Sequence, residues 1–254
     1  MVSVIFPAAG QGKRMQAGIN KVLLTLAGEP ILVRTLKTFS AVEEVGELIV
    51  VVAADEVATV ETQLRKVRGL KPLQVVAGGS ERQYSIYNGL QKVAQDADVV
   101  LVHDAARPMV TAKTIQAVID TARTKGGAIA AVPAKNTIKV VDADGLVVDT
   151  PPRSTLWEVQ TPQGFRKEIL IKANEAAVAD NFLGTDDASL VERIGVPVAV
   201  VQSDYRNIKV TTPEDLLIAE AFLKCTAEDE ARSLQAAAAE AREAWLKEAF
   251  NSQA

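Results

Sequence analysis

The sequence predicts an α/β fold: a doubly wound, mostly parallel sheet. Short apolar runs rich in β-branched residues recur along the chain, stretches with helical periodicity lie between most of them, and the alternation breaks only once. Apolar strands separated by amphipathic helices describe a parallel sheet covered on both faces. Ligands of such sheets bind outside the carboxyl ends of the strands, so the loops after each apolar run hold the candidate residues.

In chain order the strand candidates are VSVIF, ELIVVVA, PLQVV, DVVLV, GAIAAVP and VPVAVV. After the first, PILVRTLKTFSAV places Ile31, Leu32, Thr35, Leu36 and Phe39 on one helical face. EVATVETQLRKV and ERQYSIYNGLQKV also read as amphipathic helices. The break covers residues 136–163, where two short strands flank DADG, a hairpin turn, and TPPR then stops regular structure. An inserted hairpin of this kind is a lid or a dimerisation arm. Beyond it, RKEILIKANEAAV and TDDASLVERIG look helical. VTTPEDLLIAEAFL has a well-marked helix start, with Thr212 as N-cap, Pro213 at the first helical position, and Glu214 and Asp215 in the first turn. The expected organisation is one domain over residues 1–226. Residues 227–254 form an Ala- and Glu-rich extension of strong helix propensity and few large apolar side chains.

Composition narrows the function classes. The 28 basic and 32 acidic residues give a net charge of -4, which argues against general affinity for nucleic acid or an anionic membrane. Any anion site is therefore local. A single cysteine, Cys225, rules out an internal disulfide and a cysteine-based zinc cluster, and fits a reducing compartment. No signal peptide and no membrane span is read from the sequence, so the expected location is the cytoplasm.

The stretch FPAAGQGKRM, after the first apolar run, is the first candidate phosphate binder. Gly10 and Gly12 fit a dinucleotide fingerprint, but Met15 stands at its third small position, and no acidic residue follows at a second strand end. A P-loop fails at Pro7 and Arg14. A nucleotidyltransferase loop fits: Ala8, Ala9 and Gly10 let backbone N–H groups approach an anion, and Arg14 and Lys21 add cations. A plain glycine-rich turn with solvated cations is the competing reading. Elsewhere, HDAARP follows DVVLV and puts Asp104 at a strand end, where one carboxylate can hold Mg²⁺ while substrate phosphates supply other ligands. Asp104 as a helix cap is the alternative, but Pro108 and Thr111 mark that start better. NIKVTTPEDL puts Lys209 just before a helix, and GGSERQYSIYNGL puts Gly78 and Gly79 at a strand end, with Arg82 and Ser85 in the helix that follows.

Together PAAGQGKRM, NKVLLTLAGEPIL, GGSERQYSIYNGL, VHDAARP, VPAKNTIK, LWEVQTPQGF, TDDASLVERIG and NIKVTTPEDL, in this order, resemble the 2-C-methyl-D-erythritol 4-phosphate cytidylyltransferases of the non-mevalonate isoprenoid pathway. The resemblance runs from Val2 to about Leu223. It implies a Rossmann-like fold of the nucleotide-diphospho-sugar transferase type, with the hairpin as a dimerisation arm. It also implies CTP and a polyol phosphate as substrates, Mg²⁺ as cofactor and a homodimer. By resemblance, Arg14, Lys21 and Lys209 are catalytic, and Asp104 is the metal ligand. Ala8, Ala9, Gly10, Gly79, Ser80, Ser85, Asp104 and Ala105 meet the nucleotide; Arg107, Thr137, Arg153, Thr161 and Lys209 meet the second substrate.

Several positions stay open on the residues alone. Ser80 stands where related proteins often carry Asp, so that contact brings no charge. Asp186 lines the site or starts a helix, with the cap favoured. Arg206 stands where some relatives have an acid, proposed there as a second metal ligand; the nearest acid is Asp204. His103 reads as structural or orienting. Two other functions compete: a cytidylyltransferase for another polyol phosphate, such as ribitol 5-phosphate, and a non-catalytic nucleotide-binding module.

Overall fold

The apolar runs become the strands of one seven-stranded sheet in a computed structural model that describes residues 1–10 and 20–225, together with 232, 235, 236 and 242. The strands are β1 (Val2–Pro7), β2 (Thr25–Leu26), β3 (Glu29–Pro30), β4 (Val45–Val52), β5 (Leu73–Ala77), β6 (Val99–Val102), β7 (Gly127–Pro133), β8 (Val140–Val141), β9 (Val147–Asp149), β10 (Trp157–Arg166) and β11 (Ala199–Gln202). The helices are α1 (Ile31–Ser40), α2 (Val57–Leu64), α3 (Arg82–Leu90), α4 (Ala112–Lys125), α5 (Lys167–Ala179), α6 (Asp187–Arg193) and α7 (Pro213–Lys224). The main sheet runs β11-β7-β10-β6-β1-β4-β5, and every pairing in it is parallel except the two made by β10. The chain thus starts at the centre, winds outward to β5, and returns to lay β6 against the other side of β1. That reversal opens the crevice in which such sheets bind ligands.

The inner strands β1, β4, β6 and β7 are buried on both faces because helices cover both. Val2, Val4 and Phe6 join Leu36 and Phe39 of α1 and Ile115 and Val118 of α4 in one cluster. Ile5, Val100 and Val102 join Ile86 of α3, Leu170 of α5 and Val191 of α6 in another. The period-two alternation of β1 therefore feeds two separate cores. Helix starts follow the sequence signals. Thr111 caps α4, and Thr212 and Asp215 form a capping box at α7. Asp186 is the N-cap of α6, also with a capping box.

The insertion differs from expectation at its far end. β8 and β9 do pair as a hairpin around DADG. The arm was expected to reach Gln163, but Trp157 to Gln163 already belong to β10, paired with β7 and β6 in the middle of the sheet. The register of β10 against β7 shifts between Val159 and Gln163, around Pro162, which has no N–H for the ladder. The expected helical extension, residues 227–254, lies outside the described residues except at the four isolated positions named above. No helix among the described residues is long and apolar enough to cross a membrane.

Candidate functional site

A cleft of about 230 Å³ lies at the carboxyl ends of β1, β5 and β6. Its first wall is Pro7, Ala8, Ala9 and Gly10 from the end of β1, with Lys21 and Val22 from the 3-10 turn that follows. Its second is Gly79 to Arg82 with Ser85, and its floor is Asp104 to Ala106 after β6, with Lys209 reaching in from before α7. Ten of the expected residues therefore meet in one place: Ala8, Ala9, Gly10, Lys21, Gly79, Ser80, Ser85, Asp104, Ala105 and Lys209. Arg14 lies outside the described residues.

Local chemistry explains how the walls hold. Asn20 donates to the Ala8 carbonyl at 2.7 Å and to the Glu56 carboxylate at 3.0 Å, which ties the start of the Lys21 turn to the end of β1. The Ser85 hydroxyl accepts from the Gly79 N–H at 3.1 Å and donates to the Glu81 carbonyl at 3.0 Å. Ser85 thus shapes the glycine loop as well as lining the cleft. The two glycines are needed for close approach. A Cβ on Gly79 would lie 2.5 Å from Tyr84 Cβ, and one on Gly78 would lie 2.9 Å from Ala9 Cβ.

Asp104 is the electrostatic centre. Its carboxylate lies 3.0 Å from Lys209 Nζ, 3.4 Å from Arg107 Nε and 3.8 Å from Arg82 Nε. Burial alone would raise this carboxyl, but Lys209, Arg82 and Arg107 outweigh it and hold it at about 2. Arg82 also pairs with Asp187 at 3.0 Å. Burial raises the Asp187 carboxyl against the pull of Arg82, and Asp186 and Asp104 add to that rise. Lys209, Arg107 and Arg82 thus share two carboxylates, Asp104 and the buried Asp187.

The floor is braced from behind. His103 is fully buried against Phe39 and Phe6, with ring centroids at 4.6 and 6.1 Å. Burial pulls its pKa down to about 3, so the ring is neutral near pH 7. Its Nε2 lies 3.1 Å from the Arg107 carbonyl, which can only accept, so Nε2 carries the proton. Nδ1 then accepts from the Thr161 hydroxyl at 3.1 Å, and that hydroxyl in turn accepts from the Asp104 N–H at 3.0 Å. Asn207 donates to Gln160 Oε1 and to the Thr161 carbonyl, while Arg107 donates to the Asn207 carbonyl at 2.8 Å. This network locks β6, β10 and the Lys209 segment together.

The remaining expected residues lie elsewhere. Arg107 and Thr161 sit behind the floor, their polar atoms engaged in that network. Thr137 is exposed after β7. Arg153, in the 3-10 turn of the arm, is exposed and donates to the Lys135 carbonyl at 2.9 Å. Asp204 Oδ1 accepts from the Arg206 N–H at 2.8 Å, and Arg206 donates to the Phe222 and Cys225 carbonyls at the end of α7. Arg82 is the cleft residue to which the sequence reading gave no role. Its signal was available: it opens the helix after the glycine pair, one turn before Ser85 and on the same face.

An open α/β sheet with a small-residue loop at β1, cations on two walls and a carboxylate at the switch point defines a nucleotidyltransferase-type enzyme. The profile of the 2-C-methyl-D-erythritol 4-phosphate cytidylyltransferase family matches residues 2–225, and the chain belongs to that family. It is 47% identical over 224 residues to the 2-C-methyl-D-erythritol 4-phosphate cytidylyltransferase of Caldanaerobacter subterraneus, covering 88% of this chain and 99% of that protein. It is 50% identical over 227 residues to the protein of the same name from Geobacter metallireducens, covering 88% and 97%. Among solved structures, 4-diphosphocytidyl-2C-methyl-D-erythritol synthase from Anaerococcus prevotii superposes with a TM-score of 0.79 at 32% identity, covering 89% of this chain and 96% of that one. The Thermus thermophilus cytidylyltransferase superposes with a TM-score of 0.73 at 30% identity, covering 88% and 98%.

Proposed function

We propose that this chain transfers CMP from CTP to 2-C-methyl-D-erythritol 4-phosphate, giving 4-diphosphocytidyl-2-C-methyl-D-erythritol and pyrophosphate in isoprenoid precursor biosynthesis. The observation that carries this reading is the cleft itself. Lys21 and Lys209, from separate segments, line one cleft with Asp104, in a chain about half identical to enzymes of that name over nearly their whole length.

The substrate phosphate oxygen attacks the α-phosphorus of CTP. The bond from that phosphorus to the β-bridging oxygen breaks, and pyrophosphate leaves with the electron pair. A phosphate monoester is mostly dianionic at neutral pH, its second pKa being ~6, so no general base is required. That agrees with a neutral, buried His103. The difficulty is charge, because a dianion approaches a polyanion. Lys21, Lys209 and Arg14 are the residues that offset it. Ala8, Ala9, Gly10, Gly79, Ser80 and Ser85 receive the base and ribose, largely through backbone groups, with Asp104 and Ala105 beside them. Arg107, Thr137, Arg153 and Thr161 serve the second substrate, Arg107 and Thr161 by positioning.

Asp104 could hold Mg²⁺ in a substrate-assisted mode once Lys209, Arg107 and Arg82, which pair with it here, turn toward the phosphates. Asp104 offers one hard carboxylate at the cleft floor, and the rest of the shell would be phosphate oxygens and water. Bound there, the ion would neutralise charge on the phosphates. The working unit in this reading is a cytoplasmic homodimer of a single-domain chain, residues 1–226. The arm carries Arg153 toward the partner's cleft.

Pyrophosphate release tests the reading, with CTP, UTP, ATP and GTP as donors and methylerythritol phosphate or ribitol 5-phosphate as acceptor. Turnover with CTP and methylerythritol phosphate alone is expected. Turnover only with ribitol phosphate would reassign the acceptor, and none with any pair would leave a binding module. Arg153→Ala should weaken the second substrate and spare CTP; a drop in CTP affinity instead would remove the arm from the acceptor site.

A further inference from the structure

A second groove, of about 810 Å³, lies away from the cleft, between α1, α2 and the turn joining β2 to β3. Its floor is apolar: Leu23, Leu32, Val33, Val60, Leu64 and Val67. Lys37 and Arg68 stand on its rim with one acid, Glu29, which pairs with Lys37. Nothing in the proposed reaction uses it, and an apolar trough of this size calls for an occupant.

We propose that the C-terminal segment of the same chain, residues 226–254, lies in this groove. The family match ends at residue 225, so these 29 residues are additional to the fold shared with the relatives. The chain reaches that point beside the groove. Leu223, in the last turn of α7, packs as Leu24 does against the buried cluster of Leu26, Ile31, Val210 and Ala219. The neighbours of Leu24 and Ile31 in sequence, Leu23, Pro30 and Leu32, line the groove. The segment has a matching pattern. Leu234, Ala238, Ala241, Trp245 and Ala249 follow spacings of three and four, one apolar stripe if helical. Small residues on that stripe permit close approach to α1 and α2, and Trp245 supplies one large anchor. Charge is complementary: the segment carries six acidic and three basic residues, against the cationic rim. Length is sufficient, since a helix of this size spans roughly 40 Å.

The chain has two tryptophans, so Trp157→Phe leaves Trp245 as the only reporter. Acrylamide quenching of its fluorescence is compared between that full-length protein and the same protein carrying Val33→Glu with Val67→Glu. Trp245 is expected to be shielded in the first and several-fold more quenchable in the second. Arg68→Glu, an exposed rim change that leaves the floor intact, should shift quenching the same way by less. Retained far-ultraviolet circular dichroism guards against simple unfolding of the floor variant. Free quenching in the parent protein overturns the proposal. So does shielding that neither groove variant relieves, or shielding that disappears on dilution, which would place the segment on a second copy.

Discussion

Two stretches of this chain share a composition and have opposite fates. The run Val99 to Val102, in β6, is entirely buried. Val140, Val141, Leu146, Val147 and Val148, in the arm, are 44 to 65% exposed. The difference is not local. β6 has a strand on each side and helices on each face, whereas the arm is a two-stranded ribbon with neither. A hairpin of that kind is marginal alone, and an exposed apolar ribbon marks a surface for association. The polar residues divide the same way. Around Asp104, nearly every side chain is cross-linked to another strand; in the arm, Arg153 and Lys139 bond only within the insertion or to its base. The braced region is suited to holding charges still, whereas the arm keeps its apolar side chains exposed.

Breaking the braced region should have the larger consequences. Lys21→Ala is expected to lower turnover by ~10²–10³ while the circular dichroism spectrum and melting temperature stay unchanged. Wild-type turnover in a well-folded Lys21→Ala protein would remove Lys21 from the chemistry. The buried His103 makes stability depend on pH. Its folded pKa, about 3, lies below its ordinary value, so the unfolded chain takes up a proton that the folded one does not. Its contribution is complete above the ordinary value near ~6.5 and is lost as pH falls toward 3, at roughly 1.4 kcal/mol per pH unit. Urea titrations between neutral pH and pH 4 should show this slope, and His103→Gln should flatten it; parallel curves would mean the ring is not buried neutral.

Smaller effects test the joints. Thr212→Ala removes the N-cap of α7 just after Lys209 and should cost about 1 kcal/mol in chemical denaturation, with a modest fall in turnover. In the arm, Val141→Ser with Val148→Ser should change the stability of a single subunit by within ~0.5 kcal/mol, as exposed substitutions do. In the proposed homodimer the same pair should shift sedimentation toward the monomer. An unchanged sedimentation coefficient would remove the arm from that proposed contact.

Legibility in the sequence followed the same divide. Strands with unbroken β-branched runs and helices with marked starts, such as α4 at Thr111 and α7 at Thr212, could be read directly. β10 could not. Thr161, Pro162, Gln163 and Gly164 interrupt its pattern, so it reads as the end of the insertion, although it runs antiparallel through the middle of the sheet. The cleft residues on glycine and strand-end loops were legible because small residues, cations and one acid stand out there. Arg82 was placed in the helix after the glycine pair but given no role, because a polar residue in a first helical turn looks like an ordinary solvated one. For Arg107 and Thr161, the letters do not say whether a polar side chain faces the cleft or the frame behind it.

By itself, then, the sequence determined the alternation of strands and helices, the caps that start α4 and α7, and the loops able to approach a phosphate. These depend on residues within one turn of each other. The tertiary structure alone decided that β6 lies against β1, that β10 enters between β6 and β7, that Arg82, Arg107 and Lys209 gather around Asp104, and that Lys21 lines the same cleft. Those outcomes depend on which strands pair and which faces the helices cover. They arise from burying apolar surface across the whole chain, not from the residues that happen to sit at each loop.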